Sequence, residues 1–124
     1  MNLLIAVKSK QVMSALRQLV SQYGEDDQIQ EALYFKDLLT GIRLYKVDLV
    51  ILDWDFFNSD TLEMISFIKK IHPSIGFIIL GMKEKNRIEA SKMDINTFFL
   101  KSDSPAKLLT LIDSFRKENK CGIN

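Results

Sequence analysis

Short apolar runs alternate with amphipathic segments along the whole chain. Runs of three to five apolar residues have the length and composition of strands that are buried on both faces. They are Leu3–Val7, Leu49–Leu52, Phe77–Leu80 and Phe98–Leu100. The stretch Ile29–Leu33 is half polar, which predicts a fifth, weaker strand near an edge of the sheet.

The segments between these runs have helical periodicity. We predict helices over Val12–Tyr23 (ended by Gly24), over Lys36–Lys46, from an Asp60 cap to just before Pro73, around Asn86–Met93, and from Pro105 after a Ser104 cap. Glu63 has the spacing of a residue that reaches back to the cap at Asp60. The positions predicted to face the core in the second and third helices are Leu38, Leu39, Ile42, Tyr45, Leu62, Ile65, Ile68 and Ile71.

Alternating strands and helices predict βαβ units, and therefore a doubly wound α/β domain with helices on both faces of a parallel sheet of about five strands. In such a sheet the ligand crevice lies at the carboxyl ends of the strands. The residues that the pattern places there are Lys8, Ser9, Asp53, Trp54, Asp55, Gly81, Met82 and Lys101. Functional chemistry is expected from this set.

Composition narrows the class of protein. The chain has 124 residues, 47% hydrophobic and 27% charged, which is typical of one soluble globular domain and excludes disorder, fibres and disulfide scaffolds. Its net charge of +1 supplies no global field for nucleic acid or for an anionic membrane. With one cysteine, Cys121, and no membrane-spanning run or signal peptide, we expect a cytoplasmic protein. We assign residues 1–120 to the domain, 121–124 to a polar C-terminal tail, and expect fraying from Lys117 onward.

Catalytic motifs do not emerge from the sequence. The segment Val7–Gln11 after the first strand contains no glycine, so it does not resemble a dinucleotide or nucleoside-triphosphate loop. The single histidine, His72, lies far from the predicted crevice, which excludes a Ser/His/Asp set. We therefore expect no enzyme activity, and a small flavodoxin-like ligand-binding protein is kept as a remote alternative.

The charged residues at the strand ends resemble a known family. Asp48–Asp53 is similar to the strand that ends in the phosphoacceptor aspartate of bacterial response-regulator receiver domains, and Asp53–Glu63 aligns with the following loop without a gap. Pro73–Leu80 resembles the fourth strand and Phe98–Lys101 the last. The resemblance implies a CheY-like, flavodoxin-like fold with strand order 2-1-3-4-5. It also implies Asp53 as phosphoacceptor position, Lys101 as site lysine, and Phe98 as the aromatic residue that reports the switch.

Departures from the family pattern fall at the same site. Val7 and Lys8 stand where the family has two Mg²⁺-binding acids, and Gly81 stands where it has a threonine or serine. Phe57 replaces a proline of the third loop, and Lys101 is followed by Ser102 instead of proline. The segment from Gly81 to Lys101 is also slightly shorter than in the family.

These substitutions predict an atypical receiver. Lys8 and Lys101 would balance Asp53 and Asp55, whereas Mg²⁺ prefers several oxygen ligands, so we expect no metal site and no cofactor. At about 4 Å and an effective dielectric near 20, a Lys8–Asp53 pair would gain about 4 kcal/mol before desolvation. We therefore hypothesise that Lys8 substitutes for the cation and locks the domain in one conformation. The other interpretation is that Lys8 points to solvent and Asp53 is a relic of a lost phosphorylation site. A functional receiver that is phosphorylated on Asp53 by a histidine kinase remains the main alternative.

Partners follow from the resemblance alone. We expect protein partners, such as a histidine kinase or an output domain, and a weak homodimer, with no nucleic-acid or membrane binding by this domain. Trp54 and the Phe56–Phe57 pair lie beside the crevice. For the pair, local packing and a contact patch are both open.

Overall fold

The computed structural model describes residues 1–22, 27–57, 61–92 and 97–122, with side chains to Lys117. Strands and helices alternate throughout these ranges. The strands are β1 (Asn2–Ala6), β2 (Gln28–Ala32), β3 (Leu49–Asp53), β4 (Gly76–Gly81) and β5 (Phe98–Leu100). The helices are α1 (Lys10–Ser21), α2 (Phe35–Leu44), α3 (Thr61–Ile71), α4 (Glu84–Ser91) and α5 (Pro105–Gly122).

All strand pairs are parallel, and the sheet order is β2-β1-β3-β4-β5, which confirms the predicted doubly wound fold. The half-polar strand β2 pairs only with β1, so it is an edge strand as predicted. Alternate side chains of the apolar strands bury opposite faces of the sheet. One core contains residues of α1 and α5, and the other contains residues of α2, α3 and α4.

Arg116 connects α5 to the start of β2 through an ion pair with Asp27. Its guanidinium group hydrogen-bonds to the buried carboxylate of Asp27 and to Asp113, and the amino group of Met1 lies 3.4 Å from Asp27. Burial lowers the pKa of Arg116, but the hydrogen bonds to Asp27 and Asp113 outweigh burial and raise that pKa above its ordinary value. The pair therefore fixes the helix next to the edge of the sheet.

Several sequence-based predictions differ from the observed elements. The helix α5 continues to Gly122, beyond Lys117, from which the sequence predicted fraying; the fraying itself stays a prediction. Leu39, Tyr45 and Ile71 were predicted to face the core, yet their exposed fractions are 38%, 45% and 56%. Each of the three lies at the edge of the apolar stripe of its helix. Leu38, Ile42 and neighbouring residues occupy the surface that packs against the sheet, so the edge of the stripe stays exposed.

Some predictions fall outside the described residues. They concern Tyr23, Gly24, Asp60, Met93 and the side chain of Cys121. Within the described ranges, none of the helices combines the length and the apolar character needed to cross a bilayer.

Candidate functional site at the carboxyl ends of the strands

Asp53 ends the most deeply buried strand of the sheet. The four apolar residues before it are fully buried, and they carry the carboxylate to the edge of the sheet, where its side chain is 13% exposed. Its Oδ1 accepts a hydrogen bond from the backbone N–H of Asp55 at 3.2 Å, and its carbonyl oxygen accepts one from Phe56 at 2.9 Å. Asp53 therefore shapes the turn that follows β3 as well as presenting a charge.

Lys101 reaches across the sheet to this carboxylate. Its backbone N–H donates to the Gly81 carbonyl at 2.9 Å, which places the residue directly beyond β5. Its Nζ lies 2.8 Å from Oδ2 of Asp53, and the lysine side chain is 34% exposed. The sequence placed both residues at the strand ends, and the structure brings their side chains into direct contact. Their assignment as phosphoacceptor and site lysine stays a prediction.

Val7 and Lys8 follow β1 on the other side of Asp53. Val7 is fully buried, with the α1 and α5 side chains. Lys8 is exposed and lines a groove of about 360 Å³ together with Tyr34, Phe35 and the Phe56–Phe57 pair. Lys101 contacts Asp53 directly, and the hypothesis of a Lys8–Asp53 pair stays a prediction.

The aromatic pair in the third loop packs locally. Phe56 and Phe57 are 5% and 8% exposed, and their ring centroids lie 5.3 Å apart in an edge-to-face arrangement. Of the two interpretations that the sequence left open, local packing is therefore confirmed. Trp54, beside them, is partly buried against the same core.

Gly81 and Phe98 share one space on the α4 side of the sheet. Phe98 is 5% exposed, and its ring tip lies where a side chain on Gly81 would be, since an added Cβ would come within 2.4 Å of Cζ. Trp54 lies against this ring, with centroids 6.5 Å apart, and the guanidinium carbon of Arg87 lies 5.8 Å from its centroid. The buried orientation of Phe98 thus depends on the missing side chain at Gly81.

Asp103 links the end of β5 to both flanking helices. Its Oδ2 accepts the backbone N–H of Leu100 at 3.0 Å and the Nζ of Lys107 at 2.9 Å, and Arg87 lies at 3.7 Å. The pKa of Asp103 is lowered, chiefly by the hydrogen bond from Lys107. Desolvation opposes this with a smaller effect, and the Leu100 hydrogen bond and the charges of Lys107 and Arg87 lower the pKa further. Sequence reasoning missed this cluster, although an aspartate just before a Ser-Pro helix start is a signal for a capped turn.

Metal-ligand chemistry is sparse in the part of the chain that the structure describes. No group of three or more His, Cys, Asp or Glu residues comes together there. Among the described residues after β3, the carboxylates are Asp53, which is bonded to Lys101, and the exposed Asp55; Asp103, after β5, is bonded to Lys107.

The fold and site together define a doubly wound α/β domain with an aspartate and a lysine in contact at its crevice. The model of the response regulator receiver domain matches residues 3–113, so the chain belongs to that family, whose members act in two-component signalling. No curated protein sequence matches the chain.

Solved structures of receiver domains share this fold. A CheY-like receiver domain from Methanospirillum hungatei has a TM-score of 0.79 at 16% identity, with 96% of each chain covered. A receiver domain from Clostridium thermocellum has a TM-score of 0.81 at 19% identity, with 97% of each chain covered. RcsB of Salmonella enterica, bound to the rprA promoter with BeF₃⁻, has a TM-score of 0.81 at 23% identity over 94% of this chain. This chain spans 60% of the length of that RcsB structure.

Proposed function

We propose that the chain is an atypical receiver domain that regulates two-component signalling through protein contacts, without Mg²⁺-dependent phosphorylation of Asp53 and without enzyme activity of its own. The observation that carries this proposal is that the two positions after β1 are Val7, which is buried, and Lys8, neither of which has a carboxylate. Oδ2 of Asp53 is paired with Lys101 at 2.8 Å, and Oδ1 accepts the Asp55 N–H. Both oxygens therefore already have partners within the protein.

The donor set at this site fits Mg²⁺ poorly. A magnesium site needs near-octahedral oxygen coordination from carboxylates, phosphate and water. The two positions after β1 supply a buried valine and an ammonium group instead of carboxylates, at Val7 and Lys8. Asp53 and Asp55 are balanced by Lys8 and Lys101, so the local charge sum is close to zero and attracts a divalent cation weakly. The proposal therefore includes no metal cofactor.

The Gly81 position supports the same conclusion. A glycine has no hydroxyl to contact a phosphoryl group on Asp53, and transfer of a phosphoryl group depends on electrostatic stabilisation of its oxygens. The Phe98 ring also fills the space beside Gly81. If the Phe98 ring stays in this buried position, the domain keeps a single conformation. It would then offer partners the same surface at all times, as an interaction module does.

The second candidate is a functional receiver that accepts a phosphoryl group on Asp53 from a histidine kinase. The Lys101–Asp53 contact at 2.8 Å favours it, because a lysine in that place can contact phosphoryl oxygens. We do not propose a flavodoxin-like ligand-binding protein, since the chain belongs to the receiver family.

Phosphorylation and metal binding can be measured separately. Acetyl phosphate is added with millimolar Mg²⁺, and the intact mass is recorded for the wild type and for Asp53→Asn. Beryllofluoride is followed by NMR, and Mg²⁺ is titrated against the emission of Trp54, the single tryptophan. We expect no mass change, no shift of amides at the strand ends and no fluorescence response. A gain of one phosphoryl group that Asp53→Asn lacks would establish the second candidate instead.

The Lys8→Asp variant tests why the wild type is expected to give no response to Mg²⁺. Restoring a carboxylate at this position removes one positive charge and adds a Mg²⁺ ligand beside Asp53. We expect this variant to respond to Mg²⁺, with Lys10→Asp on α1 as the control for a general change in charge. If Mg²⁺ changes the Trp54 emission of Lys8→Asp no more than that of the wild type, Lys8 is not the residue that prevents metal binding.

A further inference from the structure

An apolar groove lies between α2 and α3, on the outer surface of the domain and away from Asp53. We name it the α2–α3 groove. Its apolar lining includes Leu39, Phe67 and Ile71, its polar edge includes Lys36, Arg43 and His72, and its volume is about 640 Å³. Phe67 and Ile71 are separated by one helical turn and are 51% and 56% exposed.

Most of the exposed apolar side chains belong to the two helices that form this groove, or flank α2. Among the described residues, nine large hydrophobic side chains are exposed, and all but Met82 and Ile88 belong to α2, its flanking residues or α3. Leu44 and Tyr45, at the end of α2, are also exposed, with fractions of 64% and 45%. Exposed apolar surface with polar edges is typical of a protein-binding site.

The edge of the groove is positively charged. Lys36 and Arg43 lie seven residues apart on α2, or about 10 Å along the helix axis. Within the described ranges neither has a carboxylate partner, and no acidic residue lines the groove. Glu63, one turn before Phe67 on α3, is not part of the lining. The unpaired cations therefore favour an acidic occupant.

We propose that the α2–α3 groove binds an amphipathic helix of a partner protein, with apolar residues on one face and acidic residues beside them. The partner's apolar face would cover Leu39, Phe67 and Ile71, and carboxylates about two turns apart would pair with Lys36 and Arg43. This is the helix-in-groove mode of recognition, in which apolar anchors give affinity and charges select the orientation. The proposal does not depend on whether Asp53 is phosphorylated.

The charges of the described helices disfavour a second copy of this chain as the occupant. From the sequence, α1 and α5 each carry a net charge of +2, α2 and α3 each +1, and α4 is neutral. The positively charged edge of the groove would repel most of these helices. A different protein is therefore the occupant that the charges favour.

Binding can be tested with the complete chain and a defined probe. The probe is a synthetic helical peptide with leucines on one face and glutamates beside them, and its controls are a scrambled peptide and one with lysines for the glutamates. Affinity is measured by fluorescence anisotropy, and the bound surface is mapped by ¹H–¹⁵N NMR. We expect shifts confined to α2 and α3, and weaker binding as salt is added.

Matched variants identify the surface. Phe67→Glu is expected to weaken binding at least about tenfold, whereas Ile88→Glu on α4, with a similar exposed fraction of 54%, is expected to leave it unchanged. Arg43→Glu is expected to lower the affinity for the peptide with glutamates and to raise the affinity for the peptide with lysines. Circular dichroism confirms that each variant is folded.

The opposite results overturn the proposal. They are equal affinities for Phe67→Glu and Ile88→Glu, peptide-induced shifts on α4, β5 and α5, or equal binding of the scrambled peptide. Analytical ultracentrifugation without peptide measures self-association. If the wild type is a dimer and Phe67→Glu is a monomer, the groove binds a second copy of the chain instead.

Discussion

Adding one methyl group at Gly81 should destabilise the domain, although alanine suits a strand better than glycine. The new Cβ would meet the Phe98 ring at 2.4 Å, and forced overpacking of this kind costs about 1–3 kcal/mol. Removing a glycine from a strand recovers about 0.5–1 kcal/mol. We therefore expect Gly81→Ala to lower the free energy of unfolding by about 1 kcal/mol, the difference between the midpoints of these two ranges.

The collision can be isolated with a double-mutant cycle. Phe98→Ala alone should cost about 3–5 kcal/mol, because it leaves a cavity in the core. When Gly81→Ala is already present, the same substitution should cost about 1–3 kcal/mol less, since the methyl group no longer meets a ring. The measurement is urea unfolding followed by Trp54 emission, whose indole lies 6.5 Å from the Phe98 ring.

A neighbouring substitution serves as the control. Met82 is 73% exposed, so Met82→Ala should change stability by less than about 0.5 kcal/mol. The reasoning fails if Gly81→Ala is as stable as the wild type. It also fails if the Gly81 and Phe98 substitutions are additive within about 0.5 kcal/mol.

Two further predictions concern ionic contacts at the surface of the sheet. Asp27→Asn should lower the free energy of unfolding by about 3 kcal/mol, because it leaves the Arg116 guanidinium group largely buried beside a neutral partner. Asp113→Asn, which removes the more exposed partner of Arg116, should cost less than about 1 kcal/mol, and equal losses in urea unfolding would contradict this ranking. Asp103 has a lowered pKa in the folded state, so its stabilising effect is present at neutral pH and is lost as the pH falls below about 4. Asp103→Asn and Lys107→Met should therefore both flatten the acid limb of the stability profile, and an unchanged limb in either variant would refute the assignment.

The candidate site was largely predictable, since it depends on strand ends. Asp53 follows a run of apolar residues that must be buried, and Lys101 follows another, so a parallel sheet brings both to one edge. The expectation that both residues line one crevice required only that two strands end beside it. Arg87 and Asp103 were missed because their roles depend on how α4 and α5 approach β5, and local sequence does not encode that approach.

The exposed residues of α2 and α3 show a different limit. Periodicity correctly separated Leu38, Ile42 and Ile65 as buried, but it also assigned Leu39 and Ile71 to the core. A hydrophobic stripe indicates which side of a helix avoids water, and it does not state how much of that side a sheet can cover. The uncovered remainder is the surface on which the groove depends.

The sequence by itself determined the alternation of strands and helices, the residues at the strand ends and the departures at Val7, Lys8 and Gly81. These follow from apolar runs and helical periodicity, which are properties of neighbouring residues. Only the tertiary structure decided that Lys101 contacts Asp53 and that the Phe98 ring occupies the space beside Gly81. The physical reason is that both contacts join residues distant along the chain, and their distances depend on how strands and side chains pack together.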